Sequence, residues 1–385
     1  MRRLVGSTSL ALGLAVLAAC GSFTDTRAPW EHKHDHDVGL PVLGYRWKKT
    51  LIDNTTATRP QELARVGVFH GGERASAVFA GSHAGMLHAY DPDNGRELWQ
   101  RRIGAMSSDP LLAGDTLFVG TDDGTLFAID PTTGSVRWKH QASGPIVRAP
   151  AISGDTIVFT TELDKVIALD RTSGKFRWHY ERQTPEEFTI RGNAGAAIAE
   201  NRVFCGFADG HVVALSLGAG EVVWVRSLAG DASQFIDVDT TPIVADGAVY
   251  AASAAGGLYA LSTADGTERW HVAMNGVGQL LLDENRLFAV AAEEGVYAVD
   301  LGGHVLWRQG FPKAGDPGPP IVDGSYLMLS YSDDGLFILD KRDGSLIQSF
   351  NPGSGFSTAA AVSHGMLFIV SNAGILYALN VSRFT

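Results

Sequence analysis

Short segments in which apolar and polar residues alternate recur along the chain, each followed by a turn and, in most copies, a tryptophan. The first complete copy, residues 82–99, is SHAGMLHAYDPDNGRELW. Eight copies are present, and they begin at Ser82, Thr121, Thr161, Phe207, Ser253, Ala292, Ser332 and Ser371. Successive turn positions are 39, 40, 46, 46, 39, 40 and 39 residues apart. A fixed period near 40 residues indicates an array of small supersecondary units.

Each copy has the pattern of β structure. In Leu87-His88-Ala89-Tyr90 the side chains alternate between two faces, as expected of a strand. An Asp-x-x-x-Gly turn follows, as in Asp91 to Gly95 and Asp130 to Gly134, and a hairpin pattern precedes every copy. Four short strands per repeat predict an all-β fold: an eight-bladed β-propeller with four antiparallel strands in each blade. A linear β-solenoid is the alternative.

The two ends of the repeat array predict how the ring closes. The last copy stops after Asn380 and lacks a tryptophan-bearing strand, whereas Tyr45-Arg46-Trp47-Lys48 is such a strand with no repeat before it. We therefore expect this N-terminal strand to complete the last blade. The recurring tryptophans are expected to pack between sheets rather than to form a ligand site.

Composition and charge argue against two classes of protein, disordered chains and nucleic-acid-binding proteins. Of the 385 residues, 45% are hydrophobic and 19% are charged, which excludes general disorder. Lys and Arg number 31 and Asp and Glu 42, giving a net charge of −11. This acidic balance argues against binding to nucleic acid, which requires clustered basic residues.

The first twenty residues have the pattern of a secretory signal peptide. Arg2 and Arg3 precede an apolar run, Leu10–Ala19, that is too short to span a bilayer. Leu17-Ala18-Ala19-Cys20 resembles the cleavage box of bacterial lipoproteins, in which the cysteine becomes the acylated N-terminus. That resemblance, with Gly21 rather than Asp after the cysteine, implies the periplasmic face of the outer membrane. An ordinary signal peptide with an incidental cysteine is the alternative.

The chain is therefore expected to divide into a signal peptide (1–19), a lipidated N-terminus with a flexible linker (20–44) and the propeller (45–385). The linker includes Glu31-His32-Lys33-His34-Asp35-His36-Asp37. We interpret this stretch as solvated chain, because alternating His and acid in an unstructured tether gives a metal no fixed geometry. Cys205 lies in an apolar run and is expected to be a small core residue.

The sequence offers no positive argument for an enzyme, a cofactor or a metal site. It contains no H-E-x-x-H, G-x-S-x-G or P-loop motif. The paired acids Asp122-Asp123 and Asp333-Asp334 stand at turn positions, where backbone capping explains them better than catalysis.

The irregular spacing of the repeats is more informative about function than the search for catalytic motifs. The two gaps of 46 residues place extra chain after Trp178 and Trp224. The first insertion includes Phe188, Ile190 and Arg191, and the second runs through Gln234-Phe235-Ile236-Asp237-Val238-Asp239. Arg191 and Asp237 each follow their tryptophan by 13 residues, so they occupy matching positions in adjacent blades. Two interpretations remain open: a recognition patch on two neighbouring loops, or loops plugged onto the ring by internal contacts.

The lipoprotein box, the eight quinoprotein-like repeats and these two loops together resemble the BamB family, the propeller lipoproteins of the outer-membrane β-barrel assembly machinery. Phe188-Thr189-Ile190-Arg191-Gly192 is similar to the family's Leu-Ser-Leu-Arg-Gly segment, with Phe and Ile in place of two leucines. Asp237-Val238-Asp239-Thr240-Thr241-Pro242 matches its Asp-Val-Asp-Thr-Thr-Pro segment.

The resemblance implies a non-enzymatic scaffold that binds the POTRA domains of BamA, works beside other assembly-complex lipoproteins and assists the insertion of unfolded outer-membrane proteins. It also implies partner binding by Phe188, Ile190, Arg191, Asp237 and Asp239. Two alternatives are a propeller scaffold for another envelope protein and a periplasmic dehydrogenase dependent on pyrroloquinoline quinone. Such dehydrogenases carry adjacent cysteines, and this chain has no adjacent pair.

Overall fold

The structure is a computed structural model that describes residues 22–24, 42–51, 64–70, 75–182, 194–230, 236–292, 294–310 and 316–382. Every regular element among these residues is a β-strand, and the strands form eight antiparallel sheets. We call the sheets blades I to VIII in chain order.

The bounds of the strands repeat from blade to blade. Blade I comprises β3 (Gly67–His70), β4 (Ala75–Gly81), β5 (Met86–Tyr90) and β6 (Glu97–Arg102). Blade II comprises β7 (Leu111–Ala113), β8 (Thr116–Gly120), β9 (Thr125–Ile129) and β10 (Val136–Gln141). Blade III comprises β11 (Ala151–Ser153), β12 (Thr156–Thr161), β13 (Lys165–Asp170) and β14 (Phe176–Glu181). Blade IV comprises β15 (Ala196–Ala199), β16 (Arg202–Gly206), β17 (His211–Ser216) and β18 (Val222–Ser227).

The second half continues the same order. Blade V comprises β19 (Ile243–Ala245), β20 (Ala248–Ser253), β21 (Gly257–Ser262) and β22 (Glu268–Val272). Blade VI comprises β23 (Val277–Asp283), β24 (Arg286–Ala291), β25 (Gly295–Asp300) and β26 (Val305–Gln309). Blade VII comprises β27 (Ile321–Asp323), β28 (Tyr326–Tyr331), β29 (Gly335–Asp340), β30 (Leu346–Asn351) and, on its outer edge, β1 (Ser22–Thr24). Blade VIII comprises β31 (Ala361–Ser363), β32 (Met366–Val370), β33 (Ile375–Val381) and β2 (Leu43–Thr50).

The order of strands within a blade defines two faces of the molecule. The first strands of neighbouring blades contact one another and lie at the centre, whereas the tryptophan-bearing fourth strands are largely exposed at the rim. The chain then crosses from each rim strand to the central strand of the next blade. Because the four strands are antiparallel, these crossings emerge on the same face as the turns between second and third strands. We call this side the connector face and the opposite side the turn face.

The blades close into a ring, as the repeat pattern predicts. Eight apolar clusters form the core, and each is shared by two successive blades. The cluster that contains Trp47, Val78 and Phe368 joins blade VIII to blade I. The N-terminal strand completes blade VIII, since β2 pairs antiparallel with β33 from Leu43 opposite Val381 to Thr50 opposite Ile375. Ring closure by this strand is confirmed, and the linear solenoid is excluded.

The tryptophans hold neighbouring blades together. Each indole Nε1 donates a hydrogen bond to a main-chain carbonyl in the third-to-fourth-strand turn of the next blade. The pairs are Trp47 with Pro92, Trp99 with Pro131, Trp138 with Arg171, Trp178 with Leu217, Trp224 with Thr263, Trp270 with Leu301 and Trp307 with Lys341. The structural role expected of these residues is confirmed.

The segment expected to be a flexible linker is not wholly irregular. Residues 22–24 form β1, which pairs antiparallel with β30, and β2 begins at Leu43, before the expected boundary at residue 45. The physical reason is that a rim strand has one row of unpaired backbone groups that a further strand satisfies. The signal peptide, Cys20 and the histidine-rich stretch 31–37 lie outside the described residues.

Cys205 lies on β16 and is fully buried between blades III and IV. Burial raises the pKa of its thiol, so the side chain is inert packing, as expected. The part of the chain that the structure describes contains no helix of the length and hydropathy needed to cross a bilayer.

Candidate interaction surface

Two enlarged crossings on the connector face flank blade IV. Residues 182–195 join β14 to β15 and residues 228–242 join β18 to β19, whereas residues 103–110 suffice between β6 and β7. The extra length predicted from the repeat spacing is therefore present, and both crossings emerge on one face of adjacent blades. Phe188, Ile190 and Arg191 belong to the first crossing and lie outside the described residues. Asp237 and Asp239 belong to the second and are described.

Val238 fixes the second crossing to the ring. Its side chain is fully buried, and a Cβ added at Gly206 would come within 2.5 Å of Val238 Cγ1. Met106 lies against Gly81 and Ile146 against Gly120 in the same way, so in these three crossings one buried residue fills the space above a glycine at the end of a second strand. Asp237 and Asp239 are the residues on either side of Val238, so the burial of Val238 fixes the backbone position of both acids.

The residues around Val238 strengthen this attachment. The Val238 amide donates to the Phe207 carbonyl at 3.1 Å, and the Ala254 amide donates to the Asp237 carbonyl at 3.1 Å. Thr240 Oγ1 accepts from the Ala252 amide at 2.9 Å and donates to the Ala252 carbonyl at 3.2 Å. The described part of the second crossing is therefore a rigid platform rather than a free loop.

The two acids lie at the base of the crossing. Asp237 is 1% exposed, and Asp239 is partly buried with one carboxylate oxygen fully enclosed. Burial, followed by the nearby charge of Asp237, raises the pKa of the Asp239 carboxyl to about 7, with Arg148 opposing and Asp164 adding to the shift. Arg148 Nη2 also donates to the Asp239 carbonyl at 3.4 Å. These contacts are of the kind that the second interpretation expects, in which internal contacts plug the loop onto the ring.

The start of the first crossing is tied to blade IV. The guanidinium of Arg182 donates from Nε to Asp209 Oδ2 at 2.7 Å and lies 5.8 Å from the centre of the Phe207 ring. The Arg182 amide donates to the Asp164 carbonyl at 3.2 Å. Asp164 has φ of 53°, a conformation that Asp tolerates better than most residues, and its Oδ1 accepts from the Ala208 amide at 3.4 Å. The described ends of both crossings are therefore bonded to a framework that links blades III, IV and V.

Leu163 is a candidate contact residue that sequence reasoning missed. It occupies the connector-face turn of blade III, beside Asp164, and its side chain is 49% exposed. The other copies of the repeat carry alanine or an acid at this position, as in Ala84, Asp123 and Asp334. A large apolar residue at a turn position that is otherwise small or acidic was the available signal.

One of the paired turn acids, Asp123, makes the backbone-capping contacts expected of a turn residue. Asp123 Oδ1 accepts from the Thr121 hydroxyl at 2.6 Å, the Thr125 hydroxyl at 2.9 Å and the Thr125 amide at 3.1 Å. The hydrogen bond from Thr121 is the main cause that lowers the pKa of this carboxyl. Asp123 is therefore a structural cap. The described residues contain no group of three or more His, Cys, Asp or Glu side chains able to hold a metal ion.

Comparison with known proteins identifies the family. The family model described as "Outer membrane protein assembly factor BamB" matches residues 83–302 and 292–383, which is most of the ring. The outer membrane protein assembly factor BamB of Shigella dysenteriae serotype 1 is 31% identical over 322 residues, which cover 79% of this chain and 82% of that protein. The chain belongs to the BamB family of outer membrane protein assembly factors.

Solved structures agree at the level of the fold. BamB from Moraxella catarrhalis superimposes with a TM-score of 0.74 at 24% identity, covering 88% of this chain and 100% of that chain. A quinohemoprotein alcohol dehydrogenase from Pseudomonas putida HK5 superimposes with a TM-score of 0.66 at 12% identity, covering 89% of this chain and 77% of that chain. The dehydrogenase shares the propeller with this BamB family member, and likeness at that identity concerns architecture alone.

Proposed function

We propose that this BamB family member is a non-enzymatic scaffold of the outer-membrane β-barrel assembly complex. It binds the POTRA domains of BamA through the connector face above blades III to V. An acyl chain on Cys20 holds it at the periplasmic face of the outer membrane, beside the other lipoproteins of the complex, where it assists the insertion of unfolded outer-membrane proteins. The observation that carries the proposal is the pair of enlarged crossings on one face of adjacent blades in a chain of this family.

Different residues of this surface have different tasks. Phe188, Ile190 and Arg191 supply the contacts of the first crossing, with the apolar side chains giving affinity and the guanidinium giving orientation. Asp237 and Asp239 act from the base of the second crossing, because Asp237 is buried and Asp239 is partly buried. We therefore propose them as positioning residues that set the shape and charge of the platform. Leu163 adds an exposed apolar contact at its border.

The proposal is tested by co-purification of BamA from native outer membranes in mild detergent. We expect Arg191→Ala and Leu163→Glu each to reduce the recovered BamA, and the double variant to abolish recovery. Leu306→Glu is the matched control, because Leu306 is also 49% exposed but lies on the rim strand of blade VI. Recovery of BamA at the wild-type level by the double variant would contradict the proposed surface.

A second measurement separates loss of binding from loss of folding. All variants should retain the wild-type thermal unfolding midpoint, because Leu163 is exposed and the change at Arg191 only removes side-chain atoms. Asp237→Asn tests the positioning role, since it keeps the volume of a buried side chain and removes its charge. We expect it to weaken recovery of BamA less than Arg191→Ala does.

A further inference from the structure

The rim strands of seven blades carry charge, and the rim strand of blade VII does not. Each of β2, β6, β10, β14, β18, β22 and β26 contains at least one Arg, Lys or Glu, whereas β30 reads LIQSFN. Charged side chains on an edge strand discourage another strand from pairing with it. β30 alone among the described rim strands lacks this protection.

The outer edge of β30 is paired rather than free. Gln348 and Phe350 are buried toward blade VIII, where Gln348 accepts a hydrogen bond from the Leu43 amide and Phe350 belongs to the apolar cluster that joins blades VII and VIII. The covering strand is β1, with Ser22 opposite Asn351, Phe23 opposite Phe350 and Thr24 opposite Ser349. The uncharged strand β30 and the strand that covers it, β1, belong to the same chain, so the sequence supplies both partners of this pairing.

The direction of β1 determines where the N-terminus leaves the ring. Asn351 is the last residue of β30 and begins the crossing to blade VIII, so it lies at the connector face. Ser22 pairs with Asn351, so the first residue of β1 lies at the connector face. Cys20 is two residues further, within about 7 Å of Ser22.

We propose that β1 docks the acylated N-terminus onto blade VII, so that the membrane meets the propeller at the rim of this blade on the connector face. The inference rests on the lipid anchor included in the proposed function. In a ring of eight blades, blade VII lies opposite blade III. The anchor and the surface above blades III to V therefore share one face but occupy nearly opposite sides of it, which leaves that surface accessible when the rim of blade VII is at the membrane.

Disulfide trapping tests the docked strand in the full-length lipidated protein. We expect Thr24→Cys with Ser349→Cys, and separately Ser22→Cys with Asn351→Cys, to cross-link on mild oxidation, detected as faster migration on a non-reducing gel. The matched controls pair the same N-terminal cysteines with Val225→Cys and Ser227→Cys, the equivalent positions of β18. Cross-linking no greater than in the controls, for both pairs, would overturn the docking. This result depends on neither the lipid nor BamA, so it is distinguishable from failure of the proposed function.

A fluorescence measurement tests the orientation. A dye is attached through a single cysteine at Asp333 on the connector face of blade VII, at Glu162 on the same face of blade III, or at Asp343 on the turn face of blade VII. The labelled lipoproteins are reconstituted into phosphatidylethanolamine–phosphatidylglycerol vesicles that contain a spin-labelled headgroup. We expect the greatest loss of fluorescence at Asp333. Equal loss at all three positions, or the greatest loss at Glu162 or Asp343, would overturn the orientation.

Discussion

The indole of Trp178 in blade III covers Gly220 in blade IV so closely that a Cβ at Gly220 would lie 2.5 Å from the ring. The same indole donates a hydrogen bond of 2.8 Å to the carbonyl of Leu217, in the same turn. Gly220 also has φ of 70°, which favours glycine. The last glycine of the turn between third and fourth strands thus serves two purposes in blades I to VII, because it allows the turn and leaves room for the tryptophan of the preceding blade.

We expect Gly220→Ala to lower the free energy of unfolding by about 2–4 kcal/mol. A left-handed backbone costs an alanine roughly 1–2 kcal/mol, and displacing the indole costs about as much again. Urea unfolding followed by tryptophan fluorescence measures the change and also reports on the environment of the displaced ring.

Gly218→Ala is the control, because Gly218 lies in the same turn, has no heavy atom within 4 Å of an added Cβ and is exposed. Its effect should be within about 0.5 kcal/mol of zero, as for ordinary surface changes. Equal destabilisation by the two substitutions would mean that the turn, and not the contact with Trp178, limits stability.

The junction between blades VII and VIII is built without a tryptophan. Gln348 occupies the tryptophan position of blade VII, is 4% exposed and accepts a hydrogen bond from the Leu43 amide at 3.1 Å. Blade VIII has no turn between its third and fourth strands, since these come from opposite ends of the chain. A tryptophan would therefore have neither the glycine nor the carbonyl that it contacts elsewhere.

We expect Gln348→Met to destabilise the ring by about 1–3 kcal/mol, because it keeps the volume of the side chain but leaves the buried Leu43 amide without its acceptor. Release of β2 should also speed trypsin cleavage at Lys48 and Lys49. Gln309→Met, on the rim strand of blade VI, is the control and should change neither property. Unchanged proteolysis of Gln348→Met would show that ring closure does not depend on this bond.

The ring could be predicted from the sequence because the residues that form a blade lie close together in the chain and recur in successive repeats. Alternation, turn residues and tryptophans all recur within each blade, so the number of blades and the closing role of Trp47 follow from counting. The pairing of β1 with β30 could not be predicted in this way, because β1 lies outside the repeat and fills no gap in the count of strands. The sequence shows that β30 lacks charged residues, but this indicates a covered edge only when β30 is compared with the other rim strands.

The interaction surface is predicted less completely than the fold. The repeat spacing locates the enlarged crossings, but it does not show which side chains point outward. Val238 fills the space above Gly206 and is fully buried. Its neighbour Asp237 is buried with it, although an acidic residue on a loop is expected to be exposed. Leu163 was missed because the spacing of its turn is regular, and only the identity of the residue departs from the other copies.

The raised pKa of Asp239 predicts a pH dependence of stability. In the unfolded chain this carboxyl titrates near its ordinary value of 3.8, whereas in the folded protein it keeps its proton up to about pH 7. The stabilisation from the retained proton is complete below the unfolded pKa and is lost as the pH rises through the folded pKa. Relative to wild type, Asp239→Asn should therefore become more stable as the pH is raised from about 5 to about 8.

Urea unfolding at both pH values, with Asp93→Asn on an exposed turn of blade I as the control, measures this difference. A gap between wild type and Asp239→Asn that does not change with pH would show that the Asp239 carboxylate is already charged at the lower pH.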